Sequence, residues 1–257
     1  EIASCLVGSE MCIRDRSTWE RRASMTLTRE LKRRGVNVIA RTAVDRVDTG
    51  ANLGATVHYR QGDSDEDRTA YGEVVLAAIG RVPNTDADWF RSSGLKLDER
   101  GYVTVDGYGR TNLDGVWALG DITPGHALAH RAFEQGITIA EKIAGADPKP
   151  VIDDTVPQVV FSFPEAASVG LTLDQAKARE DVVEPKETAY PMLSNARMLM
   201  SGEGGSMTVV SGAFANNPDM QVVLGVHIVS PIASDLIAEA EQLVGNRVPL
   251  ADAARLI

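Results

Sequence analysis

The 257-residue sequence predicts an α/β fold in its first part and a separate α+β unit from Val156 onward. Three observations carry that reading. Residues 73–80, EVVLAAIG, are a continuous apolar run after Glu73, the composition of a strand buried on both faces. Residues 115–136, GVWALGDITPGHALAHRAFEQG, join a short apolar strand to an amphipathic helix through Gly120-Asp121. Past Val156 the pattern turns to short alternating strands, with amphipathic helices near the end.

Composition narrows the function classes. A hydrophobic fraction of 44% is enough to build real cores. The net charge of −10, from 26 basic against 36 acidic residues, argues against nucleic acid as a partner. No apolar run reaches the length of a membrane span, and no secretion signal is seen, so the cytoplasm is the expected compartment. The two cysteines, Cys5 and Cys12, both lie in the first tail, and the four histidines are widely separated, so no metal site is expected. No Ser/His/Asp arrangement has a recognisable nucleophile turn.

Each element can be justified in order. Residues 1–16 have no clear periodicity and read as a foreign or disordered tail outside the fold. Residues 24–35 predict a helix, with Ser24 as N-cap, Leu27 and Leu31 on one face and Gly35 as the stop. Residues 36–47 and 55–60 alternate as strands, and the acidic stretch 62–68 reads as a solvated hairpin loop. Strands are expected at 73–80, 101–106 and 116–119. The helix that follows places Leu128, Ala132, Phe133, Ile137, Ala140 and Ile143 on one face and stops at Gly145. Residues 146–155, rich in Asp and Pro, are the best linker. Then come strands at 159–161 and 167–171, a helix at 173–179, and strands at 187–190, 206–213 and 221–229. Asn216-Asn217-Pro218-Asp219 is expected to reverse the chain between the last two strands. Residues 231–244 predict an amphipathic helix, and a last helix starts near Pro249.

The chemistry gathers at Asp121. A carboxylate at a strand end can accept hydrogen bonds from sugar hydroxyls. The helix start after it offers unpaired N–H groups and a partial positive charge to an electron-rich ring or phosphate. The plain alternative is that Asp121 only caps a turn. Gly80 and Arg81 end a strand, where ligands of open α/β sheets gather, and Gly80 permits close approach. A tight interdomain turn explains Arg81 equally well. His130 beside a helix start reads as structural rather than catalytic. His58 and His227 fall in strands and are expected to pack or to face solvent.

Four stretches in order carry a resemblance: WALGD followed by LAHRAFEQG, LAAIGRVPN at residues 76–84, FPEAASVGLT at residues 163–172, and residues 225–256. Together they resemble the FAD-dependent pyridine nucleotide–disulfide oxidoreductases, from about Ser24 to Ile257. The resemblance implies partial Rossmann-like domains: the C-terminal half of an NAD-binding domain at 17–85 and the C-terminal part of an FAD-binding domain at 86–150. A truncated α+β dimerisation domain follows at 151–257. Asp121 would then bind a ribityl hydroxyl of FAD. Ala127, Leu128, Ala129 and His130 would face the flavin pyrimidine side, with Ala127 departing from the methionine often found there. Gly80, Arg81 and the backbone of Val44 would approach NAD.

The implied cofactors are FAD and NAD, and the implied assembly is a homodimer. The implied partner is a lipoyl-bearing protein or a small dithiol or disulfide, with a 2-oxoacid dehydrogenase complex as a candidate assembly. The family's redox cysteines have four residues between them, whereas six separate Cys5 from Cys12, so these are not that pair. Neither Gly-rich loop nor the family's catalytic His occurs. The sequence therefore reads as a fragment of an enzyme, inactive alone and with no catalytic residue of its own. A His-Pro motif and a glutamate are expected beyond Ile257. A reductase of another disulfide or a quinone is the alternative within the family. A non-catalytic dimerisation module is the alternative outside it.

Overall fold

The computed structural model describes residues 5–7, 19–50, 54–202 and 204–255. The chain divides into two compact units: Glu1–Gly80 with Val159–Ile257, and Arg81–Gln158.

The first unit opens with strand β1 (Cys5–Val7) and helix α1 (Arg21–Arg33). The expected tail is thus partly inside the fold: β1 pairs in parallel with β2 (Asn37–Ile39), whose free edge offers it backbone partners. The rest of the stretch read as foreign lies outside the described residues. The N-cap of α1 is Glu20, not Ser24. Its two carboxylate oxygens accept from the Arg22 and Ala23 N–H groups at 2.5 and 2.7 Å, so a charged cap starts the helix earlier. Ser24 falls inside the first turn. Leu27 is buried with Ala23 and Trp19 against Ala166 and Val229, and Leu31 borders the same cluster. Gly35, at φ +84°, ends the helix in the left-handed region.

The strand expected over 36–47 is split, because Arg41 at φ +56° turns the chain between β2 and β3 (Thr42–Thr49). β3, β4 (Ala55–Gln61) and β5 (Arg68–Gly72) form an antiparallel meander, with the acidic loop between β4 and β5. The strand expected over 73–80 does not form. Val74, Leu76 and Ile79 are 88%, 86% and 71% exposed. A strand buried on both faces needs neighbours for its backbone, and among the described residues none pairs with this run.

In the second unit, α2 (Asp88–Ser92) packs Phe90 against Val103 and Ala118. The strands expected over 101–106 and 116–119 shrink to single bridges, Leu97 with Val103 and Arg110 with Trp117. Aspartate side chains take over the turns. Asp98 Oδ1 accepts from Arg100 and Tyr102 N–H, and Asp106 Oδ1 from Tyr108 and Arg110 N–H, all at 2.9 Å. Such local bonds compete with a ladder. α3 (Ala129–Ile143) forms as expected but is turned. It buries Arg131, Thr138 and Ile139, while Phe133, Ile137 and Ile143 stay exposed.

The chain re-enters the first unit at Val159, within β6 (Gln158–Val160), and continues with β7 (Glu165–Gly170), α4 (Leu173–Ala178) and β8 (Val182–Pro191). It ends with α5 (Ala196–Ser201), β9 (Ser206–Phe214), β10 (Asn217–Ser230), α6 (Ala233–Gly245) and α7 (Leu250–Ala253). The five strands order as β6-β7-β10-β9-β8, and β10 pairs antiparallel with both neighbours. The reversal into β10 falls at Ala215-Asn216, because Asn217 already pairs with Phe214. Thr172 and Gln175 make a capping box at the start of α4. One sheet face packs Ala167, Val226 and Ile228 on Ala233, Ile237 and Ala240 of α6. Pro249 precedes α7 as its N-cap rather than as its first residue.

His227 sits in the middle of this sheet and is 1% exposed. Its Nδ1 lies 2.7 Å from Ser168 Oγ, its cross-strand partner, and its Nε2 lies 3.2 Å from the Leu171 carbonyl. The carbonyl only accepts, so Nε2–H donates to it and Ser168 O–H donates to Nδ1, a neutral imidazole.

Candidate functional site

The second unit brings Asp121 and the start of α3 together. Gly120 and Asp121 lie in a single 3-10 turn, with Gly120 at φ +73°. Gln135 of α3 reaches back, and its Oε1 accepts from the Gly120 N–H at 2.9 Å. A Cβ at Gly120 would stand 3.4 Å from the Ala132 methyl, so a glycine here keeps turn and helix close. The Thr123 hydroxyl donates to the Gly120 carbonyl at 2.8 Å and closes the turn. Asp121 is left with its carboxylate outward, half exposed, and Arg81 Nη1 donates to its Oδ2 at 3.3 Å.

Leu128 is the N-cap of α3 and gives no side-chain cap. The first N–H groups of the helix therefore have no internal acceptor, and they carry the positive end of its dipole. Ala127, Ala129 and His130 are exposed and Leu128 is half-buried. His130 Nε2–H donates to the Pro157 carbonyl at 2.8 Å. His126 Nε2 lies 3.2 Å from Gln158 Nε2, so two histidines hold the chain just beyond the linker.

Val44 lies on β3, where it is paired with Tyr59 and 40% exposed. A bulge follows it. The extra residue, Asp45, accepts two bonds from Arg60 at 2.9 and 2.7 Å, and that guanidinium holds its carboxyl below the usual range. Gly80 has φ +129°, a conformation open to glycine alone.

The sequence reading missed Arg131. It is 6% exposed, its Nε donates to Asp153 Oδ1 at 2.6 Å, and its Nη2 donates to the Pro124 carbonyl at 2.7 Å. An arginine on a mostly apolar helix, with a distant aspartate to meet it, leaves no periodic signal. Among the described residues no group of His, Cys, Asp and Glu could hold a metal.

The arrangement offers a carboxylate acceptor, an arginine and open helix-start donors within one unit. Comparison with known proteins identifies the family. Residues 9–136 match the pyridine nucleotide-disulphide oxidoreductase family, and residues 156–257 match that family's dimerisation domain. The chain belongs to this family.

Its curated relatives include the dihydrolipoyl dehydrogenase of Cupriavidus necator. That protein is 39% identical over 214 residues, which is 82% of this chain and 43% of the relative. The dihydrolipoyl dehydrogenase of Geobacillus stearothermophilus is 37% identical over 229 residues, 87% of this chain and 45% of the relative. Among solved structures, LpdA from Mycobacterium tuberculosis superposes with a TM-score of 0.78 at 30% identity, covering 93% of this chain and 49% of that one. The chain spans about half the length of the relatives it matches. Among the described residues no helix is long and apolar enough to cross a membrane.

Proposed function

We propose that the chain supplies flavin-facing, nucleotide-facing and dimer-forming surfaces of a dihydrolipoyl dehydrogenase-like enzyme. Its compartment would be the cytoplasm, its assembly a homodimer, and its substrate a dihydrolipoyl group on a protein or small dithiol. The observation that carries the reading is the Gly120–Asp121 turn gripped by Gln135 beside an uncapped helix start. An outward carboxylate and free N–H donors fit one edge of a flavin: acceptor toward the ribityl hydroxyls, donors toward the electron-rich ring. Bound FAD would relay two electrons between a dithiol and NAD. In this reading Asp121 binds and orients the ribityl chain, and Ala127–His130 present backbone donors to the ring. Gly80, Arg81 and the Val44 backbone receive the nicotinamide nucleotide. The matched dimerisation domain supports the homodimer.

FAD titrated into the 15N-labelled chain tests the reading. Weak, fast-exchange shifts are expected at Gly120, Asp121 and the first turn of α3, and Asp121→Ala should remove them. No oxidation of dihydrolipoamide by NAD is expected, since the sequence holds no redox cysteine pair. Shifts centred elsewhere, or sub-micromolar binding indifferent to Asp121, would overturn the assignment. Sedimentation should show a dimer at micromolar concentration, and a folded monomer there would remove the homodimer.

A further inference from the structure

The second unit contains a cavity of about 360 Å³ that none of Gly80, Arg81, Asp121 and Ala127–His130 lines. Its volume lies in the range of ligand pockets, roughly 300 to 1,000 Å³, and far above the roughly 30 Å³ of one water. The walls mix charge with apolar surface: Arg131, Asp153, Asp106 and Tyr108 alternate with Val151 and Ile139. Arg131 supplies the decisive feature. Its guanidinium is bound by Asp153 and Pro124 on two nitrogens, while Nη1 is buried with no hydrogen-bond partner among the described residues. A Cβ at Gly125 would run into Arg131 Nη2 and Asp153 Oδ2, so the backbone closes tightly on the pair from one side. A charged donor left unpaired away from water is costly, and an acceptor at that wall removes the cost.

The charges choose the kind of molecule. Two carboxylates and one guanidinium border the cavity, and the guanidinium is already neutralised by Asp153. An anion would meet the Asp106 carboxylate, and a cation would meet Arg131. Asp106 accepts both its backbone bonds through Oδ1, which leaves Oδ2 outside those bonds. A neutral molecule carrying several hydroxyls satisfies both kinds of wall. Its oxygens accept from arginine, its O–H groups donate to carboxylates, and its C–H faces lie on Val151 and Ile139. We propose that this cavity binds a neutral polyhydroxylated molecule of about sugar size, with Arg131 as donor and Asp106 and Asp153 as acceptors. The site is independent of the flavin reading.

The test titrates D-glucose and sorbitol, with acetate and phosphate as anionic controls, into the 15N-labelled full chain. Saturable shifts at Gly107, Tyr108, Gly109 and Val151 are expected with the polyols at millimolar concentration, and none with the anions. Asp106→Asn retains an oxygen to close its turn but loses the charge, and should weaken binding about tenfold. Val151→Trp should fill the cavity and abolish binding while the rest of the spectrum is kept. Absence of saturable polyol shifts at these amides overturns the proposal. So does polyol binding indifferent to Asp106→Asn, or a preference for the anions.

Discussion

His227 makes the stability of the dimerisation sheet depend on acid in a way that can be worked out. Burial brings its pKa down from 6.5 to about 4, against the opposing pulls of the bond to the Leu171 carbonyl and of the Glu187 carboxylate. Other charged groups on that side are Glu20, in contact with Thr208 beside His227, and Arg22, which pairs with Glu187 at 3.6 Å. A histidine whose folded pKa is depressed binds fewer protons folded than unfolded. Its contribution is therefore complete above the unfolded value of 6.5 and is lost as pH falls toward about 4. At about 1.4 kcal/mol per pH unit, the full loss is about 3 kcal/mol, of which about 2 kcal/mol is gone by pH 5. His227→Gln keeps an acceptor for Ser168 and a donor for Leu171 without titrating in this window. Urea unfolding of both proteins between pH 7.5 and 4.5 reads the effect. The wild-type midpoint should fall more steeply over this range, most of all below pH 6.5. Parallel pH profiles for the two proteins would refute the argument. The aspartates paired with basic groups, Asp45, Asp147 and Asp181, are held below 3.8 and lose their contributions only in stronger acid.

The remaining predictions concern the fold. Glu20→Ala removes two bonds to the start of α1 and should cost about 1–2 kcal/mol in urea unfolding, and an unchanged midpoint would contradict Glu20 as the cap. Gly225→Ala places a methyl group against the Leu171 carbonyl where β10 crosses β7, and should destabilise by about 1–3 kcal/mol or more; a neutral result would show that the strands can part there. Phe133→Ser on the exposed side of α3 should change stability by less than about 0.5 kcal/mol, while Ile139→Ala on the buried side should cost about 2–4 kcal/mol. The reverse order would mean that α3 faces the other way in solution.

Where local pattern and tertiary burial demand the same thing, the sequence was legible. The C-terminal sheet is the clearest example. Its apolar strands bury one face on α6, the stop at Gly35 follows from the backbone freedom of glycine, and the start of α4 from the Thr172–Gln175 capping box. The turn at Gly120-Asp121 was legible for a related reason, since a glycine between an apolar run and a helix marks a change of direction. Residues 73–80 failed on the opposite ground. Eight residues can specify that they belong between two strands, but they cannot supply those strands. Asp98 and Asp106 were overlooked because their turns depend on side-chain bonds, which hydrophobic alternation does not register.

The α3 helix shows why the candidate cavity escaped a reading by apolar period. Counting only hydrophobic residues picks out Leu128, Ala132, Phe133, Ile137, Ala140 and Ile143. The face turned into its own unit is Arg131, Gln135, Thr138 and Ile139, spaced at i, i+4, i+7 and i+8. That spacing is as helical as the first, but most of its members are polar. A polar face can be buried only when each group meets a partner, and here the partners are remote: Asp153 and Pro124 for Arg131, and Gly120 for Gln135. Those partners lie in the loop before the helix and the linker after it, so the face is completed by residues on both flanks of α3. The same side chains that fix the helix on its unit, Gln135 on the Asp121 turn and Arg131 at the cavity, also join the two candidate sites. A change at Gln135 therefore bears on the Asp121 turn even though it lies on the cavity wall, whereas Val151 and Asp106 touch the cavity alone.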